Sequence, residues 1–351
     1  MMTKKRILAT TLAALVSLGL LAGCASPGPA ASPQPAPAPA APVQEAQPPA
    51  EEDEPEAVVF EIGIIQLMEH PALDAAREGF MAALADEGIY AEYDYQNAQG
   101  DSATLSTIAQ RFVNNNVDMI LAIATGSAQA VASETTEIPI VGTAITDYEV
   151  ARLVDSNEVP GGNVTGASDM MPVAQQVGMI PEFVPGIQTL GILYSSNEPN
   201  SVIQAEMAIA AAEALGLAVD IGTVTALADV HQVTLSVANR VDAIYIPTDN
   251  TYASAMSLVA QISLESGVPV FAADANMVMT GGIATLGISY FDLGYQSGLM
   301  AAKILRGEAE PATMPIQWAY DFNYVVNGDM AEALGIVIPE RFLPYVQFAE
   351  E

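Results

Sequence analysis

The amino-acid sequence predicts an α/β protein with two doubly wound lobes of parallel strands and a ligand cleft between them. Short continuous apolar runs alternate with amphipathic stretches, a pattern typical of parallel strands covered by helices on both faces. In addition, "IGIIQLMEHP", from Ile62, is repeated as "LGILYSSNEP", from Leu190, and "VDMILAIATG" is repeated as "VDAIYIPTDN". The order of strand, helix and strand is the same in both copies, so we infer an internal duplication of one α/β half.

The apolar runs predict strands near residues 60–66, 92–95, 119–124 and 138–142 of the first copy, and near 189–194, 218–222, 243–246 and 269–272 of the second. The amphipathic stretches predict helices near residues 72–87, 103–114, 128–134, 201–215, 228–239 and 252–266. Asp101 before one helix and Gly216 after another are typical start and stop signals. Residues 281–307, which follow both copies, predict one more strand and a long helix.

Residues 1–24 predict a lipoprotein signal peptide. Lys4, Lys5 and Arg6 precede an apolar run that is short for a membrane span. The run ends in "LAGC", which resembles the lipobox of bacterial lipoproteins, and Cys24 is the only cysteine of the chain. We therefore expect cleavage before Cys24, acylation of its thiol with chains such as palmitate, and lipid anchoring to the cell membrane outside the cytoplasm.

The rest of the chain predicts a tether and two lobes. Residues 25–57 are rich in proline and alanine, end in acidic residues and contain few large apolar side chains, which is typical of an extended tether. The remainder is long enough for two lobes. By fold analogy, we predict a first lobe from residues 58–167 and 283–313 and a second lobe from residues 168–282 and 314–348.

The charge of the chain excludes some partners. Its formal net charge of −32 repels nucleic acid and anionic lipid headgroups, so we expect no nucleic-acid partner and membrane contact only through the lipid. General solubility outside the cytoplasm and adaptation to a salty environment both explain such a charge.

Several motifs occur in an order that resembles a known family: "EHPALDAAREGF", "NAQGD", "GGNVTGASD", "NEPNS", "PTDN" and "LGISYFDLGYQSG". Together they resemble the ABC-transporter substrate-binding lipoproteins of the tryptophan/tyrosine-binding type. The resemblance implies a type I periplasmic-binding-protein fold, closure of two lobes on a small solute, and delivery of that solute to an ABC permease driven by a separate ATPase.

On this resemblance we expect an extracytoplasmic, monomeric binding protein for an amino acid or similar zwitterion, whose side chain could be aromatic or branched. The chain departs from the family at Gly126 and Tyr148, where relatives often carry proline, so the ligand preference of the relatives is not transferred. An anchored solute sensor for a signalling partner and a nucleoside-binding lipoprotein remain alternative functions.

The ligand's carboxylate would be bound by free backbone N–H groups and hydroxyls at a helix start. Thr125 and Ser127 begin a predicted helix in the first copy, and Asn200 and Ser201 begin one in the second. Ordinary N-capping is the alternative role for such residues. Other candidate ligand-binding residues follow strand ends, namely Met68, Glu69, Asp147, Glu198 and Asn250.

The ligand's ammonium would be held by carboxylates in a sheltered place. Asp249 and Asp274 end consecutive strands of the second copy, and Asp169 follows the segment "GGNVTG", which we expect to cross between the lobes. Their counterparts in the first copy, Thr125 and Ala144, are uncharged. Asp249 is equally well explained as the cap of the following helix.

An apolar ligand side chain would need aromatic or methionine neighbours. Candidates that lie just past strands are Met68, Tyr148, Tyr194, Tyr290 and Phe291, although core packing explains such residues equally well. We expect Trp318 to pack within the carboxyl-terminal segment.

Catalysis is the less favoured function. Of the two histidines, His70 could face the cleft and His231 has the position of a helix-surface residue. The sequence contains no nucleophile elbow, no P-loop and no Cys/His cluster with metal spacing, so we expect no enzymatic activity, no cofactor and no metal site.

Overall fold

The computed structural model describes residues 58–348, and it confirms the predicted α/β class. The signal segment, Cys24 and the tether lie outside the described residues. Strands β1 to β13 span, in order, Val59–Gln66, Tyr90–Asn97, Met119–Ile123, Ile140–Ile145, Val164–Ser168, Thr189–Ser195, Ala218–Val224, Ala243–Ile246, Val270–Ala272, Ala284–Gly287, Gln317–Trp318, Asn323–Asn327 and Val346–Gln347. Helices α1 to α11 span Pro71–Asp86, Ser102–Asn115, Thr125–Ala132, Val173–Phe183, Pro199–Ala214, Val230–Ala238, Asn250–Ser254, Met256–Ser266, Ala275–Gly281, Tyr290–Leu305 and Gly328–Ala333.

The strands form two groups, which define two lobes. The first lobe is built on a six-stranded parallel sheet with the order β11-β5-β4-β3-β1-β2. The second lobe is built on a parallel sheet with the order β7-β6-β8-β9, together with a smaller sheet of β10, β12 and β13. The two sheets of the second lobe adjoin, because the N–H of Ile283 donates to the carbonyl of Val270 at 2.7 Å.

The topology supports the inferred duplication. The order β2-β1-β3-β4 of the first lobe recurs as β7-β6-β8-β9 in the second. Helices α1 and α5 each have 16 residues and begin at a proline, Pro71 and Pro199. A glycine in the middle of β1, Gly63, leaves room for Phe112 of α2, and its counterpart in β6, Gly191, leaves room for Val237 of α6. The repeated glycines therefore allow a helix to pack closely on the same strand of each sheet.

Helix α10 returns to the first lobe and packs against α1 at very short range. A Cβ atom on Gly294 of α10 would lie 1.9 Å from the carbonyl oxygen of Ala76, and one on Gly79 of α1 would lie 1.9 Å from that of Phe291. Because both positions are glycine, the two helix backbones touch. This contact attaches α10 to the first lobe, although α10 comes after most of the second lobe in the sequence.

The strand pairings also locate the crossings between lobes. β10 pairs with β12, and β11 pairs with β5, so residues 284–287 belong to the second lobe and residues 317–318 to the first. The predicted ranges had these two short segments in the opposite lobes. Backbone pairing across sheets depends on distant strands, and so the local pattern gave no signal for it. The predicted lobe ranges otherwise remain a prediction.

Two local differences from the predicted elements have physical causes. The helix expected over residues 252–266 is divided into α7 and α8 at Ala255, whose φ and ψ of −104° and 8° are not helical. Helix α3 begins at Thr125, as the candidate helix start indicated, although the amphipathic pattern alone predicted it only from residue 128. Several elements were not predicted, namely β5, α4, α9, β11, β12, β13 and α11. In α4, the interior Gly178 and Pro181 weaken the helical signal of the sequence.

Candidate functional site

The residues that follow the strands of the two lobes meet at a cleft. Its mouth is a cavity of about 550 Å³, to which the first lobe contributes Met68 and Gly126 and the second lobe contributes Glu198 and Asn200. Deeper in the cleft lies a central cavity with about 10 Å³ of free space. Six polar residues among those that line this central cavity are His70, Asp169, Asp249, Asn250, Asp274 and Tyr290.

Asp249, at the end of β8, is a buried helix cap. Its Oδ1 accepts the N–H of Tyr252 at 2.8 Å, and its Oδ2 accepts the N–H of Ser195 at 2.5 Å. Burial, and then the charge of Glu198, raise the pKa of Asp249 to about 8. Both carboxylate oxygens are thus used to join the end of β6 to the start of α7, which bears out the capping role.

Asp169 follows β5 and lies at the centre of a hydroxyl network. Its Oδ1 accepts from the Thr146 hydroxyl at 2.8 Å, and its Oδ2 accepts from the Tyr290 hydroxyl at 2.9 Å. Burial raises the pKa of Asp169 to about 6, although these two hydrogen bonds oppose the rise. Because neither partner is cationic, the buried carboxylate has no counter-charge among the residues to which it is bonded.

Asp274 caps α9, where its Oδ1 accepts the N–H of Met277 at 2.9 Å. Burial raises the pKa of its carboxyl group, while the nearby His70 lowers it. The charge of Asp274 also raises the pKa of Asp169, so the two carboxylates are close enough to repel each other. A cation between them would relieve that repulsion.

Glu198, predicted as a ligand-binding residue, binds the first turn of α7. One oxygen accepts the N–H and the side-chain amide of Asn250, at 3.0 and 2.6 Å. The other accepts the N–H and the hydroxyl of Thr251, at 2.9 and 2.7 Å. Glu198 and Asn250, predicted separately, are therefore parts of one bonded unit.

The first turn of α3 carries polar groups that have no partner among residues 58–348. No side chain caps this helix, and the residue before it, Ala124, has a φ of 77°. The hydroxyls of Thr125 and Ser127 are buried without a hydrogen-bond partner among the described residues, as is that of Thr143 on the neighbouring strand β4. Buried hydroxyls are rarely left unsatisfied, and free N–H groups at a helix start favour an anion. This region can therefore receive a carboxylate.

The other predicted site residues lie at various depths. Asp147 lines a narrow crevice with Thr125 and Asn200, and its Oδ1 accepts the N–H groups of the turn that follows it. Asn200 also lines the mouth and the central cavity, so it contacts every part of the cleft. Ser201 donates to the carbonyl of Thr248 at 2.9 Å. Glu69 is exposed, and Glu69, Ser127 and Ser201 line none of these three cavities.

Most of the aromatic and methionine residues singled out from the sequence do not line the cleft cavities. Tyr148 is fully buried, and its hydroxyl donates to the carbonyl of Ala167. Phe291 is 41% exposed and stacks on Tyr295 along α10. Trp318, expected to pack within the carboxyl-terminal segment, is 45% exposed on the edge strand β11. Only Tyr290 and Met68 of this group line the cleft cavities.

Two residues absent from the predicted site are part of it. His70 lines the central cavity and bonds to Asn250 at 3.1 Å, whereas His231 is exposed on α6. The motif "EHP" after the first strand was the available signal for His70. Thr143 lies within a buried strand, and only its register beside Ile123 brings it to the start of α3.

Other site classes find no support in the described part of the chain. Among residues 58–348, no group of three or more His, Cys, Asp or Glu side chains has the arrangement of a metal site. None of the helices in that range combines the length and apolarity needed to cross a bilayer.

Comparison with known proteins identifies the class to which this cleft belongs. Residues 61–348 match the family model of the ABC transporter substrate binding proteins, and the chain belongs to that family. The family consists of solute-binding proteins that act outside the cytoplasm and are not enzymes, which confirms the prediction of a binding protein.

Individual relatives agree with the type predicted from the motifs. The chain is 36% identical over 277 residues to a tyrosine-binding protein of Clostridioides difficile (strain R20291), a match covering 78% of this chain and 80% of the relative. An ABC domain from Streptococcus pneumonia in complex with L-Trp is 37% identical, covers 83% of this chain and 99% of its own, and superposes with a TM-score of 0.80.

A third relative differs in the arrangement of its lobes. The ligand-free, open structure of a substrate-binding protein with adhesive properties from Clostridium difficile is 39% identical, with the same coverage of 83% and 99%. Its TM-score is nevertheless only 0.64. The lobes of the present chain are thus arranged more like those of the L-Trp complex than like those of the open structure.

Proposed function

We propose that this chain is the solute-binding lipoprotein of an ABC importer and that it captures an amino acid by closing its two lobes. The observation that supports this function best is the chemical asymmetry of the cleft. The start of α3 has no side-chain cap and carries unpaired hydroxyls, whereas the central cavity contains the buried carboxylate of Asp169, whose hydrogen-bond partners are uncharged. A zwitterion supplies the complementary charge to each side.

The carboxylate is assigned to the first lobe. The N–H groups at the start of α3 and the hydroxyl of Thr125 would bind it, with Ser127 and Thr143 supporting that turn. Asn200 faces the same region from the second lobe and would contact the ligand on closure.

The ammonium is assigned to Asp169 and Asp274. These two carboxylates repel each other and lie in the central cavity, where one cation would interact with both. Asp249 lines the same cavity, but its oxygens already accept two backbone N–H groups, so we assign it a supporting role. The side chain of the ligand would extend toward the mouth, past Met68.

Anchoring and partners complete the proposal. Acylation at Cys24 and the tether of residues 25–57 would hold the binding domain near the membrane, where a permease and its ATPase receive the solute. The two relatives named for tyrosine and in complex with L-Trp support an amino acid as the solute.

Calorimetry with modified ligands tests both ends of the site. We expect L-tyrosine or L-tryptophan to bind, and we expect the methyl ester and the N-acetyl derivative of the tighter ligand each to lose at least about 2 kcal/mol of binding free energy. Failure of a broad amino-acid panel to bind, together with binding of a nucleoside, would overturn the proposal.

Two substitutions test which residues bind the carboxylate and which bind the ammonium of the ligand. Thr125→Val should weaken binding by about 1 kcal/mol without lowering stability, because the hydroxyl that it removes is buried and unpaired, while Thr125→Ser should bind normally. Asp169→Asn should weaken binding of the free amino acid much more than that of its N-acetyl derivative. Asp321→Asn, at an exposed aspartate, serves as the control.

A further inference from the structure

A buried hydrogen bond joins the residue before a helix of one lobe to the first residue of a helix of the other lobe. His70, which precedes α1 in the first lobe, bonds through Nε2 to the Oδ1 of Asn250, the first residue of α7 in the second lobe, at 3.1 Å. His70 is only 7% exposed and Asn250 only 6%. Because the two residues belong to different lobes, the bond is part of the contact between the lobes.

The second lobe holds the acceptor in a fixed orientation. The amide nitrogen of Asn250 donates to Glu198 at 2.6 Å, so the side-chain oxygen of Asn250 must point at His70. An amide oxygen can only accept, and it follows that Nε2 of His70 carries the proton. Glu198 in turn is held by the N–H and hydroxyl of Thr251. The acceptor is thus preorganised before the lobes meet.

The side chain of His70 contacts the second lobe, where it also lowers the pKa of Asp274. His70 occupies the position before α1, but its side chain does not cap that helix. Its ring instead enters a crevice formed by the starts of α7 and α9, beside Ala253 and Asp274. In an open protein, water would replace these contacts at both lobes, so they favour the closed form and not the fold of either lobe.

We propose that His70 is a positioning residue for lobe closure. On the opposite lobe, its partner is Asn250, which Glu198 holds in place. Through this contact His70 raises the closed population and slows the release of a trapped solute. The effect on solute release rests on the proposed function, whereas the effect on closure does not. The contribution of one hydrogen bond to a two-state equilibrium corresponds to a change of about three- to tenfold.

Distance measurement between the lobes tests the proposal directly. Because Cys24 is the only cysteine, a full chain with Cys24→Ser, Ala103→Cys and Ala228→Cys carries two labels, both at exposed alanines, one in each lobe. Spin labels at these positions report the open and closed populations by pulsed electron resonance. In the same background, L-tyrosine dissociation is measured by stopped flow.

We expect His70→Ala to reduce the ratio of closed to open molecules three- to tenfold and to speed L-tyrosine release by a similar factor, with an unchanged melting temperature. His70→Gln, whose amide can donate to Asn250, should restore part of both effects. His231→Ala, at the exposed histidine, should change neither.

Two results would overturn the proposal. One is a distance distribution for His70→Ala that equals that of His231→Ala. The other is an equal loss in His70→Gln and His70→Ala, which would mean that donation to Asn250 is not the cause. If L-tyrosine and other amino acids fail to bind any variant, the proposed function fails, but the distance distributions still decide the role of His70.

Discussion

The aspartates of the cleft show how burial gives one residue type different roles. Asp249 and Asp274 both cap helices, whereas Asp169 accepts only from hydroxyls. All three are buried at the end of a strand or just after one, and burial raises the pKa of each. The free-energy cost of ionising the carboxyl group, and the groups that offset this cost, therefore differ among the three positions.

Asp249→Ala should lower the free energy of unfolding by about 2 to 4 kcal/mol, because it leaves the buried N–H groups of Ser195 and Tyr252 without acceptors. Urea unfolding measures this loss. Asp242→Ala is the matched control, since Asp242 also accepts two backbone N–H groups but is exposed. Water can replace that acceptor, so we expect a loss below about 1 kcal/mol. Equal losses would contradict the role given to burial.

The stability of the ligand-free protein should fall as the pH rises from about 5 to about 8. The pKa of Asp169 is raised to about 6 and that of Asp249 to about 8, both above the value of about 3.9 for an unfolded aspartate. A group with a raised folded pKa contributes stability fully below its unfolded pKa and loses that contribution as the pH rises through its folded pKa.

Urea unfolding at a series of pH values checks this expectation. Asp169→Asn should remove the part of the decline that ends near its pKa of about 6, and leave the part that extends to about 8. Asp220 and Asp242 have lowered pKa values, so the stability that they contribute is lost only when the pH falls to more acidic values. A stability that rises between about pH 5 and pH 8 would contradict the assignment.

At the scale of elements, the contact between α1 and α10 attaches α10 to the first lobe, although α10 follows the strands of the second lobe in the sequence. The repeated strands and helices follow from local apolar periodicity, which is why most of them were predicted. The close contact of α1 and α10 depends on two glycines far apart in sequence, Gly79 and Gly294, whose pairing is a tertiary event. The start of α7 likewise involves an acceptor from elsewhere in the sequence, since Glu198 accepts the N–H groups of its first turn.

Gly294→Ala should destabilise the protein by at least about 2 kcal/mol, because its methyl group would meet the backbone of Ala76 at 1.9 Å. Gly178→Ala is the control, since a Cβ atom there, within α4, would have no heavy atom within 4 Å outside its own stretch of the helix. We expect that change to raise stability by about 0.5 to 1 kcal/mol through helix propensity. Thermal and urea unfolding of both variants decide the point, and destabilisation by Gly178→Ala alone would contradict it.

At the scale of the whole molecule, the proposed function combines a lipid anchor with a domain that closes on its solute. The anchor is predicted from the lipobox and the composition of residues 1–57. The chain is strongly acidic, with a formal net charge of −32, and buried aspartates of both lobes line the central cavity. A tether long enough to leave the membrane would let that domain open and close freely.

Cys24→Ser should release the protein from the membrane fraction of cells that process lipoproteins, because the thiol is the only acylation site of this type in the chain. Fractionation and labelling with a palmitate analogue measure the change. The binding affinity of the released protein should equal that of the anchored protein. Retention in the membrane after this substitution would contradict the lipid anchor.

The sequence by itself determined the α/β class, the duplication, the family and the strand ends at which the site lies. Periodicity and short motifs are local properties, so they are legible without the fold. Only the tertiary structure decided which candidates cap helices, which donors remain unpaired and that His70 reaches Asn250. Those outcomes depend on contacts between residues far apart in the sequence, because a hydrogen bond forms only when its two groups come within about 3 Å of each other.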